Sequence, residues 1–229
     1  MTSFLLNPPP YIVPIGYFKS SDNPTYIGTG FIVKNHLITA AHVVKDYFFS
    51  NSFALINGKP FSIGNFNCKL YFNDGKEKIH YDFAIITLRV DPFLNRNYSQ
   101  NDFFVNSPLL LSDKLPLVGN KVINKFWMDA FASDYYEENA NEVCDFPFTS
   151  LPEFLYPRWD TSFTIKHSGR ITHGSSGSPV LIENKVIGIV TNGLDKQNIE
   201  KYNLPLDYLY YCECLRVDVL KSQFPELLG

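Results

Sequence analysis

Ser176 is the residue whose surroundings best suit a nucleophile. It lies in the segment His-Gly-Ser-Ser-Gly-Ser-Pro-Val at 173–180, with Gly174 two residues before it and Gly177 directly after it. Small neighbours let the backbone bend so that one hydroxyl stands clear, and they let successive N–H groups converge on a carbonyl oxygen under attack. A plain Gly/Ser loop between two strands would have the same composition. Because a hydroxyl needs a base and an orienting carboxylate to attack, a histidine and an acid are required elsewhere in the chain.

His42 and Asp82 are the candidates for that base and that acid. His42 follows a strand that ends at Thr39 and begins a short helical turn, which would fix the imidazole at a strand–helix junction. An isolated histidine is more often structural than catalytic. Asp82 directly precedes an apolar strand, and a buried acid there needs a partner such as a histidine ring nitrogen. His36, in the predicted hairpin before His42, is expected to face solvent.

The elements that must position these residues are short apolar runs separated by Asn, Asp, Gly and Pro clusters. Asn57-Gly58 and Asn73-Asp74-Gly75 are hairpin signals. The predicted strands are Tyr11–Phe18, Thr25–Val33, Phe53–Ile56, Phe66–Phe72 and Phe83–Val90, and then Lys121–Met128, Ser162–His167, Pro179–Ile182, Val186–Thr191 and Tyr208–Leu215.

Two consecutive series of strands favour two β-barrels or sandwiches joined by a weakly patterned linker. We therefore predict an all-β protein with lobes at residues 1–112 and 113–229. The acidic, aromatic segment 129–158 is left unassigned, and Val217–Phe224 is predicted to form a short terminal helix.

Composition excludes several classes of function. The 229 residues are 45% hydrophobic, enough for a substantial core, and the formal net charge of −3 includes no basic run, so nucleic acid is not an expected partner. No run is long enough to span a membrane, and the N-terminus has no signal-peptide pattern, so a soluble, cytoplasmic protein is expected. Four cysteines without metal-type spacing are interpreted as reduced thiols, with Cys212 and Cys214 expected on opposite faces of a strand.

Three segments together resemble the signature segments of chymotrypsin-like (trypsin-fold) serine proteases. They are Thr39-Ala40-Ala41-His42, Asp82-Phe83-Ala84-Ile85-Ile86 and Gly174-Ser175-Ser176-Gly177-Ser178-Pro179. Their order, with histidine first and serine last, is that of this family and differs from the subtilisin and α/β-hydrolase orders. The resemblance implies two six-stranded antiparallel β-barrels followed by a short C-terminal helix. It extends over nearly the whole chain.

The resemblance also implies roles for individual residues. Ser176 would be the nucleophile, His42 the general base and acid, and Asp82 the group that orients the imidazole. The N–H groups of Gly174 and Ser176 would form the oxyanion hole. The implied activity is that of a serine endopeptidase with a polypeptide substrate and with neither cofactor nor metal.

Downstream of the nucleophile, the resemblance assigns substrate contacts to the end of one strand. Thr191 would donate a hydrogen bond to the triad aspartate, and Thr191-Asn192-Gly193 would pair with the extended substrate backbone. A simple hairpin end would also account for these three residues.

Other features depart from the secreted members of the family. Ile12-Val13 follows Tyr11 and not a basic cleavage site, and Ser175 stands where those members carry an acid before the nucleophile. We therefore expect a bacterial-type, non-secreted enzyme that is made competent or is switched by a regulatory protein partner. Two other functions stay open: a catalytically silent binding module with the same fold, and an acyl or ester hydrolase.

Residues before the nucleophile are expected to set specificity. Arg170 lies six positions before Ser176, near where family members place the charge at the pocket floor, and His173 would add a donor at the rim. A cationic pocket would prefer an acidic residue before the cut. The alternative is an exposed Arg170 and an apolar pocket.

Overall fold

The computed structural model describes residues 9–18, 24–45, 52–72, 81–89, 99–103, 105–106, 108–127, 135–145, 160–169 and 174–225. Its strands form two antiparallel sheets, which we call the first and second lobes. A short parallel strand joins the second sheet at its edge.

The first lobe is a seven-stranded sheet in the order β5-β4-β1-β2-β3-β7-β6. Its strands are β1 (Ile12–Phe18), β2 (Pro24–Val33), β3 (His36–Thr39), β4 (Ser52–Ile56), β5 (Lys59–Ser62), β6 (Asn67–Phe72) and β7 (Asp82–Thr87), with helix α1 (Ala41–Lys45) after β3. The predicted hairpin at Asn57-Gly58 is confirmed. Both residues have positive φ, 51° and 76°, which the tight turn between β4 and β5 requires. The hairpin predicted at residues 73–75 lies outside the described residues.

The second lobe closes into a six-stranded barrel because β12 pairs with both β9 and β13. Its strands are β8 (Leu110–Leu111), β9 (Lys121–Trp127), β10 (Tyr135–Cys144), β11 (Ser162–Lys166), β12 (Pro179–Ile182), β13 (Lys185–Gly193) and β14 (Tyr211–Arg216), and its helices are α2 (Lys196–Lys201) and α3 (Val217–Gln223). Single-turn 3₁₀ segments lie at Ile63–Asn65, Gln100–Phe103 and Leu206–Tyr210. The predicted all-β double-barrel fold and its terminal helix are confirmed.

Strand β10 was not predicted, because its sequence Tyr-Tyr-Glu-Glu-Asn-Ala-Asn-Glu-Val-Cys is poor in the residues that favour strands. Its acids have partners on neighbouring elements: Glu137 lies 3.2 Å from Lys125, and Glu138 lies 2.6 Å from the ring of His167. Paired charges therefore add to the buried apolar contacts of Tyr135 and Val143 along this strand. Part of the unassigned segment 129–158 is thus a barrel strand.

The two lobes share one hydrophobic core. The cluster contains Phe31 and Phe83 from the first lobe and Leu181, Leu215 and Leu220 from the second, all buried. Each lobe also has a core of its own. The strands of the first sheet lie within residues 12–87 and those of the second within residues 110–216. The predicted lobe boundary between residues 112 and 113 stays a prediction.

Two predictions about buried side chains were wrong. His36 is only 7% exposed, because β3 lies between β2 and β7, and its ring packs edge-on against Phe224. Cys212 and Cys214 share one face of β14, with sulfur atoms 3.8 Å apart, since residues two apart in a strand point to the same side. Both thiols are free. No helix in the described residues is long and apolar enough to cross a membrane.

Candidate active site

The geometry of the candidate site begins with two hydrogen bonds between His42 and Asp82. The ring Nδ1 of His42 lies 2.7 Å from Asp82 Oδ2, and the main-chain N–H of His42 donates to Asp82 Oδ1 at 2.9 Å. Asp82 is 3% exposed, whereas the imidazole is 38% exposed. An ionised carboxylate only accepts, so Nδ1 carries the ring proton and the neutral ring presents its lone pair at Nε2.

Strand register explains how this pair is built. Thr39 at the end of β3 pairs with Ala84 in antiparallel β7. Chain that continues beyond Thr39 therefore runs beside the residues before Ala84, and this brings α1 to Asp82 at the start of β7. Ala40 and Ala41 are fully buried, and such small side chains let the start of α1 pack closely against the sheet.

Ser176 belongs to the nucleophile loop, which we define as residues 174–178. The carbonyl of Ser176 accepts a hydrogen bond from Thr29 N at 2.8 Å, and Gly177 N donates to Val190 O at 2.8 Å. Gly177 has φ +83°, and a Cβ there would lie 2.2 Å from Thr29 O and from Thr39 Oγ1. Only glycine fits this contact. The loop is therefore docked on the end of β3, directly before the helix that carries His42.

Gly174, one of the two predicted oxyanion donors, is anchored through its carbonyl. Thr29 Oγ1 donates to Gly174 O at 2.7 Å, and the φ of Gly174 is +99°. The other predicted donor, Ser176, is held through its own carbonyl by the main chain of the same threonine. Both predicted donors thus lie in one loop that the first lobe fixes at two points.

Thr191, Asn192 and Gly193 end strand β13. Asn192 pairs with Glu213 and Gly193 with Cys212, both on β14, and within the described strands only β14 pairs with these two residues. The predicted bond from Thr191 to Asp82 is wrong. A bulge in β13 at this position leaves Thr191 Oγ1 donating to the carbonyl of Glu213 at 3.3 Å. The predicted specificity residues Arg170 and His173 lie outside the described residues.

Several buried polar residues that support this region were missed from the sequence. Asn124 on β9 is fully buried, and its Nδ2 donates to Ser178 Oγ and to Pro179 O, each at 2.9 Å. Thr29 supports the same loop from the first lobe. The sequence signal that could have identified Asn124 and Thr29 is their position inside a strand, because a polar side chain that is buried there must have a hydrogen-bond partner.

Glu213 is a buried acid that the sequence analysis also missed. It is 3% exposed, the Ser162 hydroxyl donates to its Oε1, and its Oε2 has no hydrogen-bond partner among the described residues. Burial, together with the negative charge of Asp82, raises the pKa of Glu213 to about 8 despite the Ser162 bond. A second carboxyl group is therefore close enough to the His42–Asp82 pair to interact with it electrostatically.

His167 forms a separate buried cluster in the second lobe. Its Nδ1 lies 2.6 Å from Glu138 Oε2 and its Nε2 lies 3.0 Å from Cys212 Sγ. Burial alone would lower the pKa of His167, but Cys212 and Glu138 outweigh it and raise the pKa to about 10. Burial raises the pKa of the Cys212 thiol well above its ordinary value, against the opposing effect of His167.

With this geometry in place, comparison with protein families identifies the chain. The model of the trypsin-like peptidase domain family matches residues 28–189. The chain belongs to the trypsin-like peptidase family. The match runs from the residues before β3 through the nucleophile loop into β13, and so includes His42, Asp82 and Ser176. No curated protein matches the chain by sequence.

Solved structures of the family share the fold at low sequence identity. Rv3671c protease from M. tuberculosis in its active form is 17% identical with a TM-score of 0.58, covering 96% of this chain and 82% of that one. The scabies mite inactivated protease paralogue S-I1 is 16% identical with a TM-score of 0.65 (96% and 94%). Neuropsin, a serine protease of mouse brain, is 16% identical with a TM-score of 0.62 (96% and 95%). At such identities the likeness concerns the fold alone, which active and inactivated relatives share.

Proposed function

We propose that this member of the trypsin-like peptidase family is an active serine endopeptidase, in which Ser176 is the nucleophile, His42 the general base and Asp82 the orienting acid. The observation that carries the proposal is the double hydrogen bond from His42 to the buried Asp82. It fixes the imidazole with its lone pair at Nε2, the state that a general base requires. Docking of the nucleophile loop on β3 supports the same assignment.

In the proposed reaction, Ser176 Oγ attacks the carbonyl carbon of the scissile peptide bond while His42 Nε2 takes the hydroxyl proton. The carbonyl oxygen becomes an oxyanion, which accepts hydrogen bonds from the N–H groups of Gly174 and Ser176. Collapse breaks the C–N bond, and the departing amine takes the proton from His42. Water then repeats the sequence on the acyl-enzyme, releasing the carboxylic acid and restoring the hydroxyl. A hydrogen bond from Ser176 Oγ to His42 Nε2 is expected to form when substrate binds.

The polypeptide substrate would add as a strand beside the end of β13. The proposed pairing uses the main chain of residues 191–193, which β14 covers on one side only within the described strands. Arg170 and His173 predict a preference for an acidic residue before the cut, and this stays a prediction. A cytoplasmic location and a regulatory protein partner also stay predictions. Peptide-library profiling tests the preference, because selection of Lys or Arg would exclude a cationic pocket.

A catalytically silent binding module is the second candidate, because an inactivated paralogue shares the fold with a TM-score of 0.65. In that case selection would no longer maintain a base oriented by a buried acid, yet His42 and Asp82 retain that arrangement here. An acyl or ester hydrolase would use the same residues. It differs from an endopeptidase in leaving peptide substrates uncut.

Labelling by a fluorophosphonate tests the proposal. The reagent phosphonylates a serine only where a base activates it, so wild type should be labelled and Ser176→Ala should not. Ser175→Ala is the matched control, since its side chain is buried and should not meet the reagent. Mass mapping should place the adduct on Ser176. Absence of labelling in wild type, under conditions that label a control protease, would favour the silent module.

A further inference from the structure

Thr29 lies where the first lobe, the second lobe and the nucleophile loop meet. Its hydroxyl donates to Gly174 O at 2.7 Å and accepts from Trp127 N on β9 at 2.9 Å. Its N–H donates to Ser176 O at 2.8 Å, and its carbonyl accepts from Thr39 Oγ1 at 2.7 Å. The residue is completely buried. All hydrogen-bonding groups of one threonine are therefore used, and two of them hold the nucleophile loop.

We propose that Thr29 is a positioning residue that sets the orientation of both oxyanion donors, Gly174 and Ser176. The inference rests on the proposed serine-hydrolase function and extends it to a residue outside the three signature segments. Thr29 does not touch the reacting atoms in this proposal. It acts through the two carbonyls that it anchors.

Gly174 needs such an anchor because glycine has no side chain to restrict its backbone. Positive and negative φ are of similar energy for glycine, so the peptide after Gly174 could rotate at little cost. Rotation would turn the loop away from the arrangement that aims N–H donors at the oxyanion. The bond from Thr29 Oγ1 fixes the plane of the peptide that follows Gly174, and the φ of +99° at Gly174 relates that plane to the preceding peptide, which carries the Gly174 N–H.

The same hydroxyl couples the loop to the docking of the two lobes. Donation from Trp127 N on β9 polarises the Thr29 hydroxyl and strengthens its bond to Gly174. The tryptophan indole also donates to Ile12 O across the lobe boundary, at 3.2 Å. Correct seating of β9 on the first lobe therefore contributes to an ordered oxyanion site.

Thr29→Val removes the hydroxyl while keeping the shape of the side chain. It leaves the carbonyl of Gly174 and the N–H of Trp127 buried without their partner, so the loop should reorient to satisfy them. Thr29→Ser keeps the hydroxyl and should keep the loop in place. Thr164→Val is the matched control, because Thr164 is a buried threonine on β11, which pairs with β10 and β14 in the described residues and not with the strands on either side of the nucleophile loop.

The test measures turnover of p-nitrophenyl acetate and the second-order rate of fluorophosphonate labelling. Thr29→Val should lower kcat and the labelling rate by at least about tenfold, since loss of one oxyanion donor costs about 10²–10³ in kcat, while KM changes less than about threefold. Thr29→Ser and Thr164→Val should stay within about threefold of wild type. Affinity for a peptide aldehyde, whose adduct occupies the oxyanion site, should fall in step with kcat.

The outcomes separate this inference from the proposed function. An inactive, unlabelled wild type would contradict the serine-hydrolase proposal itself. An active wild type with an equally active Thr29→Val would overturn the role of Thr29 and leave that proposal intact. A loss that matches the unfolded fraction in a melting curve, or a serine variant as impaired as valine, would also overturn it. Should valine prevent folding, the smaller Thr29→Ala is compared with Thr29→Ser by the same measurements.

Discussion

The interiors of the two lobes differ in how they hold charge. In the described residues of the first lobe, the one fully buried acid is Asp82, and its partner is the partly exposed His42. The second lobe buries Lys125, His167 and Glu213. Lys125 and His167 are paired with acids of β10, whereas one oxygen of Glu213 has no partner in the part of the chain that the structure describes.

This difference indicates that buried charged residues have two roles in this fold. Among the described residues of the first lobe, the one buried acid, Asp82, orients the partly exposed ring of His42, the proposed base. In the second lobe, charge pairs add to the apolar contacts along β10 and hold a strand that its composition does not favour. Removal of an acid should therefore affect activity in one lobe and stability in the other.

Asp82→Asn should have the largest effect. In the triad template the amide stabilises the wrong imidazole tautomer, so we expect peptide or ester turnover to fall by about 10⁴ with the fold intact. Steady-state kinetics and circular dichroism measure the two properties on the same sample. Near-normal turnover in this variant would contradict the role assigned to Asp82.

Glu138→Ala should instead destabilise the second lobe. It leaves His167, whose side chain is 1% exposed, without its carboxylate, and breaking a buried ion pair costs about 3 kcal/mol. Urea unfolding should show a lower midpoint, while turnover per folded molecule stays near that of wild type. A large loss of activity without a change in stability would remove the contrast between the lobes.

Glu213→Gln should change how stability depends on pH. The pKa of Glu213 is about 8 in the folded protein and near 4.5 when unperturbed, so between these values the folded state holds a proton that the unfolded chain has released. Stability therefore falls as pH rises through this window, by up to about 1.4 kcal/mol per pH unit for one proton. The glutamine variant should lose this part of the slope.

His167 acts in the same direction at higher pH. Its pKa is raised from 6.5 to about 10, so between these values the folded state keeps a proton that the unfolded chain has released, and stability falls as pH rises. The difference between wild type and Glu213→Gln isolates the glutamate. Parallel urea-midpoint curves for the two proteins from pH 5 to 9 would show that Glu213 does not titrate in this window.

Lys114→Ala should have the smallest effect. Lys114 and Glu183 form a pair at 3.0 Å with both side chains about two-thirds exposed, and such pairs contribute little to stability. We expect neither the urea midpoint nor turnover to change measurably. A clear loss of stability would show that exposed charges matter in the second lobe as well as buried ones.

The sequence was sufficient to predict the fold class, most strands and the meeting of His42 with Asp82. Apolar alternation and hairpin residues mark strands directly, and an acid before an apolar strand demands a partner. The roles of Ser176, Gly174 and the residues at 191–193 stay proposals.

Strand β10 and the contacts of Thr29, Asn124 and Glu213 could not be predicted, because their partners are distant in sequence. Glu138 and His167 become neighbours only once β10 pairs with β11, and the Thr29 hydroxyl meets Gly174 from 145 residues away. The Thr191 hydroxyl donates to the Glu213 carbonyl because of a bulge in β13, and no residue pattern in the sequence indicated this bulge. Local propensity contains no information about such pairings.

The core that both lobes share makes the stability of each lobe depend on its contact with the other. Phe31 and Phe83 on one side and Leu181, Leu215 and Leu220 on the other would face water if the lobes separated. The site proposed for catalysis lies at this boundary, so its geometry depends on contacts between two consecutive stretches of sequence.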